Sequence, residues 1–224
     1  MPDTITYTTD DGVLIVGDWT PTPTMIGVAL LLHMMPETRR SWSAFERALV
    51  ARGIGSLAID LRGHGESTNM EDGDTVDYRE FEDADHQSSA IDVVVALNWI
   101  RKRGIELNRI VVVGASIGAN LGIQLLAEYP LLAGVIALSP GEDYHGVRAL
   151  DDAQNLNPEQ ALFIAASEND PQSFVESKKL YDLSPTDRKV FVPCTNAGHG
   201  THMFNANPQL MEKAADWIVE VFKG

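Results

Sequence analysis

Three consecutive β-branched residues, Val111-Val112-Val113, run into Gly114-Ala115-Ser116-Ile117-Gly118 and continue at once into a segment of helical spacing that reaches Glu128. A run that is apolar at every position has no face to give to water, so it reads as a strand covered on both sides. Turning from such a strand directly into a helix forces the residue at the apex into a strained backbone geometry. Glycines at 114 and 118 let the chain approach itself there, and the Ser116 hydroxyl is left standing on the turn. The glycines distinguish this pattern from a serine that merely caps a helix, since an N-cap needs neither of them.

The flanking sequence repeats the same theme. Residues 27–32, 56–59, 135–138, 161–165 and 190–192 are further apolar strand candidates, and residues 4–8 and 13–18 form a hairpin around Asp10-Asp11-Gly12. Helical spacing marks residues 41–52, 83–103, 117–128, 174–183 and 208–222, with Gly53 and Gly104 just past the first two. Strands alternating with helices predict a mostly parallel, eight-stranded sheet with helices on both faces. With no internal repeat, low-complexity stretch or linker, residues 1–224 are read as a single α/β domain.

Against 17 Lys and Arg stand 32 Asp and Glu, a formal net charge of -15. That balance repels phosphate backbones and anionic lipid, so neither nucleic acid nor a membrane is an expected partner. The only cysteine, Cys194, has no internal disulfide partner. No segment approaches the ~18 apolar residues of a membrane span, and the first residues lack the pattern of a secretory leader. The expected location is the cytoplasm.

In a parallel sheet, ligands bind outside the carboxyl ends of the strands, where Ser116 lies. A serine hydroxyl is a weak nucleophile that needs a base within reach and a third group to orient the base. In this architecture the chain order is serine, acid, histidine. The acid candidate is Asp170, at the tip of the loop after residues 161–165 and before Pro171; Glu168 competes, and Asp170 could instead cap the next helix. The base candidate is His199, bracketed by Gly198 and Gly200 after the last strand, with His202 as the alternative. The Ile117 amide and the Met35 amide, or that of Met34, are the candidate oxyanion donors. The Met34 and Met203 side chains are candidates for an apolar, substrate-binding wall. This chemistry calls for no metal or organic cofactor.

The segments GASIG at 114–118, LLLH ending at His33, IDLRGHGES at 59–67, ENDP at 168–171 and AGHGTHMF at 197–204 together resemble the α/β-hydrolase superfamily over nearly the whole chain. Within it the chain is similar to small esterases akin to the dienelactone hydrolase group, although those enzymes carry cysteine where this elbow carries Ser116. The resemblance implies an α/β-hydrolase fold and a carboxylesterase-type serine hydrolase acting on small, short-acyl esters through an acyl-enzyme. In the superfamily, residues placed like Arg62 and His64 are structural. Only residues 139–159 are available where a lid would be inserted, which implies minimal or no lid. A thioesterase or amide-cleaving enzyme would use the same residues, and a non-catalytic binding protein of the same fold is the rival from another class. A homodimer, if formed, would use edge strands near the C-terminus.

Overall fold

The computed structural model describes residues 2–224. Its strands are β1 (Asp3–Thr8), β2 (Val13–Thr20), β3 (Gly27–Leu32), β4 (Ile54–Ile59), β5 (Asn69–Met70), β6 (Ile110–Ala115), β7 (Gly134–Leu138), β8 (Asp143–Tyr144), β9 (Val147–Arg148), β10 (Ala161–Ser167) and β11 (Arg188–Cys194). Its helices are α1 (Ser43–Val50), α2 (Asp83–Gln87), α3 (Ser89–Arg101), α4 (Ile117–Glu128), α5 (Leu150–Gln154), α6 (Pro171–Leu183), α7 (His202–Ala206) and α8 (Pro208–Lys223). The main sheet has nine strands where the sequence predicts eight: eight run in the order β1-β2-β4-β3-β6-β7-β10-β11, and the ninth, β5, whose two residues leave no pattern to read, pairs with β2 off this path. The hairpin β1–β2 is antiparallel, and every pairing from β4 to β11 is parallel.

The strand β6 is buried at all six positions, as its sequence requires. Successive side chains of a strand point to opposite faces, so Val111 and Val113 enter one core while Val112 enters the other. The core that holds Val112 is closed by α3, α4, α5 and α6, and the one that holds Val111 and Val113 by α1, α7 and α8. Parallel register aligns the carboxyl ends: Leu32 pairs with Gly114, Ala115 with Leu138, Leu138 with Ala165, and Ser167 with Cys194. The loops after β3, β6, β7, β10 and β11 therefore leave the sheet along one edge, and they carry every candidate site residue.

Three local features depart from the sequence reading. The 83–103 helix is two helices meeting at Ser88, whose hydroxyl donates to the Ala84 carbonyl at 3.0 Å, a side-chain bond that competes with the helical ladder. The 41–52 helix begins as a 3-10 turn over Arg39–Trp42 before α1. The 139–159 segment contains a small hairpin, β8–β9, turned by His145 (φ 53°) and Gly146 (φ 79°). Two successive positive-φ residues suit the twist of a hairpin, but strands of two residues leave no periodic signal to read.

The loop after β4 is tied down by a buried ion pair. Arg62 donates its backbone N–H and its Nε to Asp92 on α3, both at 2.9 Å, and its Nη2 to the same carboxylate at 2.8 Å. Asp92 is fully buried and Arg62 nearly so, with Asp11 a second, more exposed partner. Removing one member of such a pair strands a buried charge. Asp92→Ala is expected to cost about 3 kcal/mol of folding free energy in urea denaturation, with part recovered when Arg62→Met is added.

Candidate active site

The elbow is built on close approach. A Cβ on Gly118 would lie 2.4 Å from the Leu32 carbonyl oxygen and 2.6 Å from that of His33, and one on Gly114 would lie 2.1 Å from the Gly118 oxygen. Ser116 is held at φ 53°, ψ -121°, a conformation that an L-residue rarely adopts. Its N–H donates to Leu138 on the neighbouring strand at 2.9 Å, and its carbonyl receives Ala119 and Asn120. The side chain makes no capping bond although it stands at the N-cap of α4, so the hydroxyl is not consumed by the helix.

Asp170 stands at the N-cap of α6, but its side chain makes no cap bond either. The carboxylate turns instead to His199, whose Nδ1 lies 2.5 Å from Oδ2. That leaves Nε2 as the free nitrogen of the ring. The two rival residues lie elsewhere: Glu168 is exposed and accepts from Thr195 at 3.3 Å, and His202, also exposed, faces Glu37 across 3.8 Å.

The His199 loop is held on both sides by side-chain acceptors. Ser167 Oγ receives the Ala197 amide at 2.9 Å, Asn169 Oδ1 the Gly198 amide at 3.1 Å, and Ser139 Oγ the Gly200 amide at 3.0 Å. A Cβ on Gly200 would lie 3.3 Å from the Ala115 Cβ, so the loop packs directly against the residue preceding Ser116.

On the other side of the elbow, His33 is fully buried and both ring nitrogens are used. Nε2 receives the Leu61 amide at 3.0 Å, which makes Nδ1 the donor to the Met34 carbonyl at 3.0 Å. That carbonyl also accepts from the Glu37 amide at 2.8 Å. In a planar peptide the N–H points opposite to the carbonyl, so fixing Met34 O fixes the direction of the Met35 N–H. Among the described residues, neither the Met35 amide nor the Ile117 amide has an acceptor.

The Hydrolase_4 family model, described as serine aminopeptidase, S33, matches residues 24–222. The chain belongs to this family of α/β-hydrolases. No curated protein sequence matches it. Among solved structures, it is similar to an esterase of Pyrococcus furiosus (16% identity, 99% of this chain and 93% of that one, TM-score 0.79). It is also similar to a dienelactone hydrolase from Anabaena variabilis (16% identity, 98% of each chain, TM-score 0.74). An α/β-hydrolase from Penicillium superposes with TM-score 0.82 at 12% identity over 100% of both chains. At such identities the likeness is one of fold, and it bears out the α/β-hydrolase architecture without a lid.

One expectation about this hydrolase is corrected. Met34 is 2% exposed and Met203 is wholly buried, both packed into the core beneath α1, α7 and α8. They fill the space under the His199 loop, with the Met34 sulfur facing Thr201 and Gly200, and neither presents a wall to a ligand. Met35 is the half-buried methionine of the three.

The sequence reading passed over Tyr144 and Ser173. The Tyr144 hydroxyl donates to the Ser139 carbonyl at 3.1 Å and lies 2.9 Å from Ser173 Oγ, which in turn lies 3.4 Å from His199 Nδ1. Burial pushes the phenol up to about 12, against the hydrogen bond of Ser173, so it is protonated at neutral pH. Asn169 was legible only as part of the ENDP motif, with no signal for its bond to Gly198.

Two outcomes are expected from this geometry. Asn169→Ala frees one side of the His199 loop and is expected to lower kcat about 10-fold with KM little changed, measured by steady-state hydrolysis. His33, held down to about 4 from an ordinary 6.5 by burial, is neutral in the folded chain. A lowered histidine contributes stability that is complete above the unfolded value and lost as pH falls, so the fold weakens between pH 6.5 and about 4. The loss is on the order of 3 kcal/mol for His33 alone, and denaturation midpoints across that range should vary less steeply in His33→Asn.

Proposed function

We propose that this α/β-hydrolase is a serine esterase that cleaves small, short-acyl carboxylic esters through an acyl-enzyme. The observation that carries the reading is the strained, uncapped Ser116 on an elbow whose neighbouring loop presents His199 already paired with Asp170. In this mechanism His199 Nε2 takes the proton of Ser116 as Oγ attacks the ester carbonyl. Asp170 holds the ring in the tautomer that keeps Nε2 free, and stabilises the imidazolium that forms. The Ile117 and Met35 amides, which lack acceptors of their own, receive the developing oxyanion. Collapse expels the alcohol with the proton from His199, and water then attacks the acyl-enzyme with His199 as its base.

Short acyl chains are favoured by the modest cover over the edge of the sheet. Between β7 and β10 there are only β8, β9 and α5, and the two methionines that could have lined a deep acyl channel are core residues. Amide cleavage is the second reading, supported by the aminopeptidase description of the matching family model. An amide leaving group makes a greater demand for protonation by His199 but uses the same residues.

Hydrolysis of p-nitrophenyl acetate, butyrate and octanoate by wild type and Ser116→Ala tests the reading. Wild type is expected to prefer the two shorter chains, and Ser116→Ala to lose about 10³-fold or more in kcat with its thermal melt retained. Activity that survives in Ser116→Ala would overturn the nucleophile assignment. A wild type that cleaves aminoacyl p-nitroanilides and not the esters would move the assignment to the amide reading.

A further inference from the structure

Tyr144 occupies a place that the triad and oxyanion amides leave open. The sheet order β3-β6-β7 puts the elbow between two loops. The loop after β3 brings the Met35 amide to one side of Ser116; the segment after β7 brings Tyr144 to the other. The Ser116 amide donates to the Leu138 carbonyl, and Tyr144 donates to the next carbonyl along, that of Ser139. The Tyr144 hydroxyl is thus two hydrogen bonds from the Ser116 turn, since the carbonyl it uses adjoins the one that receives the Ser116 amide. The Tyr144 and His199 rings meet edge to face with centroids 6.3 Å apart, and Ser173 bridges the phenol to His199 Nδ1.

The hairpin that carries this phenol is anchored to the elbow's own helix. Asn120, one turn along α4 from Ser116 and fully buried, donates to the Val147 carbonyl at 2.8 Å and accepts the Gly141 amide at 3.1 Å. On α6, Glu176 accepts the Glu142 amide at 2.9 Å. A two-residue hairpin has little stability alone. Here it is held from both flanking helices, and the tyrosine is presented with its ring packed and its hydroxyl turned to the site.

We propose that Tyr144 is a catalytic residue on the leaving-group side, its O–H donating a hydrogen bond to the alkoxy oxygen of the scissile ester as the bond to carbon breaks. The role rests on the esterase reading above. As the tetrahedral intermediate collapses, the oxyanion pair reforms the carbonyl and the C–O bonding pair passes to the alkoxy oxygen. That oxygen takes its proton from the His199 imidazolium. Tyr144 keeps its own proton and redirects its O–H from the Ser139 carbonyl to the oxygen that is gaining charge. Ser173, donating to the phenol oxygen, aims and strengthens it. The amides of Ile117 and Met35 attend the oxyanion of the intermediate, while His199 and Tyr144 attend its alkoxy oxygen.

A donor to the leaving oxygen matters most when the alcohol is a poor leaving group, and this separates the role from that of a brace. The test is kcat/KM for p-nitrophenyl, phenyl, trifluoroethyl and ethyl acetates, for wild type, Tyr144→Phe and Ser173→Ala, plotted against the acidity of the released alcohol. Tyr144→Phe is expected to lose about 3-fold on p-nitrophenyl acetate and about 30-fold on ethyl acetate, giving a steeper line. Ser173→Ala, which leaves the ring untouched, should steepen the line less. Parallel lines for the variants and wild type would mean that the phenol only supports the hairpin, and would overturn the proposal while leaving the esterase reading intact. Failure of the wild type to hydrolyse any ester would overturn both.

Discussion

The contact between Gly118 and the carbonyls of Leu32 and His33 is the constraint on which the site depends. A helix that begins within two residues of a central strand must run its first turn directly over the end of the adjacent strand. Only a residue without a Cβ lets the backbone come that close. Once α4 is seated, Ser116 has no conformation available except positive φ, the Ile117 amide is the first free donor of the helix, and the end of β3 is pressed against both. The strain at Ser116 is therefore the local cost of seating α4 on the sheet, and the packed strand and helix on either side hold it in place.

Much of this was legible because it follows from continuous apolar runs. All eight strands on the main path were found from the sequence, and the ends of β3 and α4 coincide with their reading, since Gly27–Leu32 and Ile117–Glu128 are bounded by abrupt changes of pattern. The nucleophile, acid and base candidates could be picked out because each follows a strand in a fixed order along the chain. Tyr144 could not. It lies on a strand of two residues, and its relation to Ser116 and His199 arises from α4 and α6 gripping the hairpin, which no local period records. The reading of Met34 and Met203 failed for a related reason: methionine near a site is compatible with lining it or with filling the core beneath it, and the sequence does not say which face of the loop is inward.

Polar side chains at the carboxyl edge of the sheet share one task. His33, Asn120, Ser139, Ser167 and Asn169 come from four different segments, and each bonds to the backbone of a neighbouring loop. Four of the five are fully buried. Burying polar groups is unfavourable unless their bonds are made, and they are made here by satisfying loop amides and carbonyls that secondary structure leaves open. The loops are thereby fixed relative to one another even though no regular ladder connects them.

This division of labour explains why so many polar residues are specified around Ser116 and His199. A hydroxyl and an imidazole can be displaced by small movements of the loops that carry them, and a catalytic hydrogen bond weakens steeply with misalignment. The Asp170–His199 pair fixes the ring, but the ring's position follows from Gly198 and Gly200 being held by Asn169 and Ser139. Ser139 is itself at φ 51°. Its hydroxyl holds the His199 loop, its carbonyl receives Tyr144, and the carbonyl before it receives Ser116. The turn after β7 thus connects Ser116, the His199 loop and Tyr144 through the groups of two consecutive residues, so a shift of that turn would misplace all three together.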